Sequence, residues 1–121
     1  MLMNAPAILQ EILLALKDLY RKGENHLIYI NKMPLSPEDR NLILDTLGDG
    51  KVRITYSSGG HTIEWRETGI SGVWIGVFLG RDGKPLLETI EITDFPKIAA
   101  SQKEDIEESI KVLEVRLKSI L

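Results

Sequence analysis

Apolar residues recur at helical spacing near the N-terminus, where Ile8, Ile12, Leu16, Leu19 and Tyr20 share one side and Leu9 and Leu13 widen the stripe. Gly23 is a natural stop for that helix. "HLIYI" (His26 to Ile30) is short, β-branched and aromatic, and predicts a strand. In "MPLSPEDRNLILDTLGDG", Ser36 is placed to cap a helix with its hydroxyl, and Pro37 sits at the first helical position, where its missing N–H costs nothing. Glu38 and Asp39 then meet the positive end of the helix dipole, and Gly48 closes the helix after Leu47. "KVRITY" alternates Val52, Ile54 and Tyr56 with polar residues, "SSGG" turns the chain, and "HTIEWRET" alternates again with Ile63 and Trp65 inward. Near the C-terminus, Ser101 and Glu104 read as a capping box. Ile106, Ile110, Leu113, Leu117 and Ile120 follow at alternating spacings of four and three, which predicts a helix lying on the sheet. Two heptads are too few to establish a zipper.

Between these segments, "TGISGVWIGVFLGRDGKPLLETIEIT" (Thr68 to Thr93) reads as a hairpin around Asp82-Gly83, a pair that tolerates positive φ. In that register Leu79 opposes Leu86, Val77 opposes Glu88, Ile75 opposes Ile90 and Val73 opposes Ile92. Opposed residues share a face. One face is then Val73, Ile75, Val77, Leu79, Leu86, Ile90 and Ile92, with Glu88 alone out of character, and it belongs under the helices. The other carries Trp74, Gly76, Phe78, Leu87, Thr89 and Glu91. A glycine inside a strand weakens it, and close approach of another chain is one reason to keep it. Two readings stay open: these six residues form a protein-binding surface, or the aromatic rings are covered by a helix or by the loop at Ser57 to Gly60. Strands in one block with short turns predict the α+β class, with an antiparallel or mixed sheet of about five strands and three amphipathic helices mainly on one face.

The length of 121 residues predicts a single domain spanning 1–121. A composition of 43% hydrophobic and 27% charged residues is that of an ordinary globular domain rather than a disordered chain. The net charge of −3 and the lack of a Lys/Arg cluster argue against a nucleic-acid partner. No apolar run approaches the length of a membrane span, and the N-terminus lacks the pattern of a signal peptide. The absence of cysteine excludes disulfides, thiol nucleophiles and thiolate ligation of metal by this chain, and fits a cytoplasmic location. His26 and His61 have no companion at ligand spacing. Glu64, Glu67, Glu88 and Glu91 are accompanied by no nucleophile or phosphate loop. The expectation is therefore a chain that is not an enzyme, with no catalytic residue, metal or cofactor.

"PLSPEDRNLILDTLGDGKV", "ETGISGVWIGVFLGRDGKPLLETIEITDFPKI" and "QKEDIEESI" together resemble the C-terminal conserved domain of the HupH/HyaF family of hydrogenase expression and formation proteins. The most specific pieces are the proline-flanked helix start with its "LGDG" exit and the "TGISGVW" block; the family's second tryptophan is Ile75 here. The resemblance implies an accessory chaperone in nickel–iron hydrogenase maturation. Its partners would be a hydrogenase subunit precursor, the iron–sulfur small subunit in particular, and other hydrogenase accessory proteins. The alternative is a structural module that buries the same apolar face in a homodimer.

Overall fold

The structure is a computed structural model and describes residues 4–121. The elements run α1 (Ala5–Lys22), β1 (His26–Tyr29), a 3-10 turn (Ile30–Lys32), α2 (Pro37–Leu47), β2 (Arg53–Ser58), β3 (His61–Glu67), β4 (Val73–Leu79), β5 (Pro85–Ile92) and α3 (Lys103–Lys118). The five strands form one sheet in the order β1-β5-β4-β3-β2, and every neighbouring pair is antiparallel. The class is α+β, as the segregated pattern predicts.

α1 and α2 cover one face of the sheet. Their Ala5, Ile8, Ile12, Ala15, Ile43 and Leu47 close on Ile28, Val73, Ile90 and Ile92. Small residues at Ala5 and Ala15 let α1 approach closely. The buried line therefore runs through the alanines and turns Tyr20 out to solvent and Leu13 half out, which corrects the stripe expected from large side chains alone. α1 ends as expected at Gly23, whose φ of 69° lies in the left-handed region.

The start of α2 does more than its sequence implies. Ser36 Oγ accepts from the Asp39 N–H at 3.0 Å, and Asp39 Oδ2 accepts from the Ser36 N–H at 3.2 Å, a reciprocal capping box. The other carboxylate oxygen of Asp39 accepts from the backbone N–H groups of Asn4 and Ala5, each at 3.0 Å. One buried carboxylate thus satisfies orphan donors at the starts of two helices. Glu88, out of character on the helix-covered face, forms a two-pronged ion pair with Arg40 of α2, through Arg40 Nη1 to Oε1 and Nη2 to Oε2. That contact joins residues 48 apart in the chain.

The hairpin keeps the expected register from Val73↔Ile92 to Phe78↔Leu87. It then shifts, because Leu79 pairs with Pro85 rather than Leu86. The turn is one residue earlier than Asp82-Gly83 suggests: the Gly83 N–H donates to Gly80 O, the Gly80 N–H to Lys84 O, and Gly83 carries a φ of 78°. This is a three-residue loop closed by a left-handed glycine. The extra residue is Leu86, which is 63% exposed instead of lying under the helices.

α3 departs furthest from expectation. Every residue from Ser101 to Leu121 is exposed, and no α3 side chain is buried. The helix does not lie on its own sheet. Its N-cap is Gln102 with no side-chain capping bond, so the Ser101/Glu104 capping box does not form.

Candidate functional site

The strand registers place Trp74, Gly76, Phe78, Leu87, Thr89 and Glu91 on the face opposite α1 and α2. The same face continues across Ile63 and Trp65 of β3, Ile54 and Tyr56 of β2, and Leu27 and Tyr29 of β1. No helix covers it. The structure therefore brings all six predicted residues onto one surface and separates them by depth.

Trp74, Gly76 and Thr89 lie at the bottom. Trp74 is 2% exposed; its indole N–H donates to Thr93 O at 3.0 Å, and Phe95 packs edge-on against its ring with centroids 6.2 Å apart. Phe95 follows β5 directly, so the chain leaving the sheet folds over this end of the face. Trp65 is also 2% exposed and lies across Gly76. A Cβ at Gly76 would meet Trp65 Cδ1 and Nε1 at 3.1 Å and Thr89 Oγ1 at 2.8 Å. The glycine thus seats a cross-strand indole, a pairing in which an aromatic ring covers the bare backbone. Trp65 was legible as an inward residue, but its place over Gly76 depends on the β3–β4 register, in which Trp65 opposes Gly76.

Phe78 and Leu87 stay half-exposed, as do Ile54 and Ile63, while Leu27, Tyr29 and Tyr56 are exposed. The accessible part of the surface is therefore an apolar band from β1 to β2, with the tryptophans as its floor. Two buried polar atoms in that floor, Trp65 Nε1 and Thr89 Oγ1, have no hydrogen-bond partner. Buried donors and acceptors without partners are costly and uncommon. Glu91 stands beside them. Partial burial raises its pKa, while the nearby Trp65 N–H and Lys97 pull it back; the indole is close enough to favour the carboxylate but not placed for a full hydrogen bond.

The exit segment is pinned. Thr93 Oγ1 donates to Phe95 O, Asp94 accepts from the Phe95 N–H at 2.9 Å and pairs with Lys97 at 2.9 Å, and Pro96 is buried. The Lys97 ammonium and the Phe95 N–H hold the Asp94 carboxyl below its usual range. Gln102 Nε2 then donates to Lys97 O and Ala100 O. His26, at the start of β1, pairs with Glu11 of α1 at 2.6 Å. Among the described residues no group of three or more His, Asp or Glu could hold a metal ion, and no helix is long and apolar enough to cross a membrane.

Residues 2–120 match the family described as HupH hydrogenase expression protein, C-terminal conserved region. The chain is 32% identical over 117 residues to hydrogenase expression/formation protein HoxQ of Azotobacter vinelandii, covering 93% of this chain and 40% of that protein. It is 35% identical over 102 residues to hydrogenase expression/formation protein HupH of Rhizobium leguminosarum bv. viciae, covering 84% of this chain and 34% of that one. The chain thus spans about two-fifths or less of the length of these relatives. The solved structure of hydrogenase expression protein HupH from Thiobacillus denitrificans superposes with a TM-score of 0.85 at 28% identity, over 96% of each chain.

Proposed function

The chain belongs to the HupH family of hydrogenase expression proteins, and from that premise we propose that it is a non-catalytic accessory domain that holds a hydrogenase subunit during maturation. The observation that carries this reading is the uncovered apolar sheet face, with Phe78 and Leu87 accessible above a floor of Trp74, Gly76 and Thr89. Contiguous exposed apolar surface on a small domain marks an interaction site. Half-exposed aromatic anchors over a well-packed floor are where interface energy concentrates.

The client we favour is the precursor of the iron–sulfur small subunit. A cysteine-free chain can hold such a client without competing for its clusters. The action is placed in the cytoplasm, where assembly of such a subunit would precede its export. Tagged protein should co-purify with the small subunit from cells making hydrogenase. Phe78→Asp, with folding checked by circular dichroism, should lower that recovery at least tenfold. Full recovery with a folded variant would remove this face from the reading.

A further inference from the structure

We propose that α3 of one copy lies on the open sheet face of a second copy, reciprocally, in a two-fold dimer. The chain presents two apolar surfaces that never meet within it. One is the α3 seam of Ile106, Ile110, Leu113, Leu117 and Ile120, each between 50% and 79% exposed. The other is the sheet face around Ile54, Ile63, Phe78 and Leu87. A second copy supplies each surface with the other in equal number, and an isologous contact leaves neither bare.

The exit segment explains why α3 does not close on its own sheet. Phe95 and the buried Pro96 anchor it over Trp74, and Gln102 ties its last turn to Lys97 and Ala100. The helix therefore starts from an anchored segment and leaves its apolar seam in solvent.

Size and charge fit the sheet. The 16 residues of α3 extend about 24 Å, and the seven-residue strands β3 and β4 also extend about 24 Å. The first half of α3 carries Glu104, Asp105, Glu107 and Glu108 with Lys103 before them, and the second carries Lys111, Arg116 and Lys118 with Glu114 among them. The sheet face is polarised too. Its turn end has Arg81, Lys84 and Lys32 against Asp82, with Lys32 over the Tyr29 ring. Its other end has Glu67, Glu91 and Asp94 against Lys97, which pairs with Asp94. With the two faces stacked antiparallel, α3 starts at the partner's basic turn end and finishes at its acidic end.

Pairing of α3 with α3 is the weaker arrangement. The five seam residues expose on the order of 600 Å² per copy, so such a pair buries about 1,200 Å² of apolar seam, near the lower edge of specific interfaces before flanking polar side chains are counted. An antiparallel pair would also set Glu107 beside Glu114 across the seam. Docking on the sheet adds the apolar area of that face on both copies.

The dimer stands on these observations alone; its competition with a client rests on the function proposed above, because both use one face. Sedimentation equilibrium of the full chain should show a dimer, and Leu113→Asp and Phe78→Asp should each raise its dissociation constant at least tenfold. α3 touches no core, so Leu113→Asp should keep the circular dichroism spectrum of a folded chain. The lack of native cysteine allows a direct placement: a Leu113→Cys chain mixed with a differently tagged Ile54→Cys chain should form a mixed disulfide. A wild-type monomer at about 100 μM, or Leu113→Cys chains linking only to each other, would overturn the arrangement. Leu113→Asp should also raise recovery of the hydrogenase small subunit several-fold by uncovering the face. A dimer that Leu113→Asp breaks, with no subunit recovered by either form, would overturn the client reading and leave the dimer standing.

Discussion

The indole of Trp65 lies over Gly76, with Cδ1 and Nε1 3.1 Å from where a Cβ on the glycine would sit. Trp65 and Gly76 belong to adjacent strands and oppose each other directly. The contact leaves no room for a methyl group, because Thr89 Oγ1 would be 2.8 Å away on the other side.

Gly76→Ala should therefore destabilise the domain, although alanine ordinarily stiffens the unfolded chain and helps by up to about 1 kcal/mol. Overpacking costs about 1–3 kcal/mol, so the net loss should be about 1–2 kcal/mol. Urea denaturation measures it. An unchanged midpoint would mean that Trp65 and Thr89 move aside at no cost.

Trp74→Ala removes a fully buried ring, its bond to Thr93 O and its contact with Phe95. The expected loss is about 3–5 kcal/mol. Trp74→Phe keeps much of the volume and should lose less. Loosening of residues 93–102 should appear as faster amide exchange there in both variants.

Asp39→Ala strips the caps from two helices at once. Each charge-assisted hydrogen bond contributes about 1.5–3 kcal/mol. The orphaned N–H groups of Ala5 and Ser36 make a loss of about 3 kcal/mol the expected outcome of thermal or urea melts. Asp39→Asn keeps one acceptor oxygen and should recover part of it.

Glu91 gives a pH signature. Its pKa is raised in the folded chain by burial, so folding favours the protonated carboxyl. Its contribution to stability is full below the unfolded pKa and is lost as pH rises through the folded value. Glu91→Gln should therefore stabilise the domain at pH about 7 and change it little at pH about 4. Melts at the two pH values check this, and a variant less stable at neutral pH would contradict the burial assignment.

Arg40→Ala tests the pair with Glu88. Arg40 is 44% exposed, so solvent screening should hold the cost to about 1 kcal/mol. A double-mutant cycle with Glu88→Ala isolates that coupling.

Local chemistry was readable from the sequence. Ser36, Pro37 and Asp39 mark the start of α2, and Gly23 and Gly48 mark helix ends, because capping involves groups only a few residues apart. Alternation in Val73–Phe78 and Leu87–Ile92 determined which residues share a face, because a one-residue slip would expose the core set. The six site residues could be grouped on one surface for the same reason. Their depth could not: Trp74 is sealed by Phe95 and Gly76 by Trp65, contacts that depend on the path after β5 and on the β3–β4 register. Tertiary structure also decided the second role of Asp39, the partner of Glu88 and the bulge at Leu86, each set by where distant backbone comes to lie. α3 shows the division most clearly. Its spacing of Ile106, Ile110, Leu113, Leu117 and Ile120 requires only that one stripe be covered. Where that stripe lies depends on the path of Thr93 to Gln102, held by Phe95 against Trp74 and by Gln102 on Lys97, rather than on any periodicity in the helix itself, and it lies in solvent.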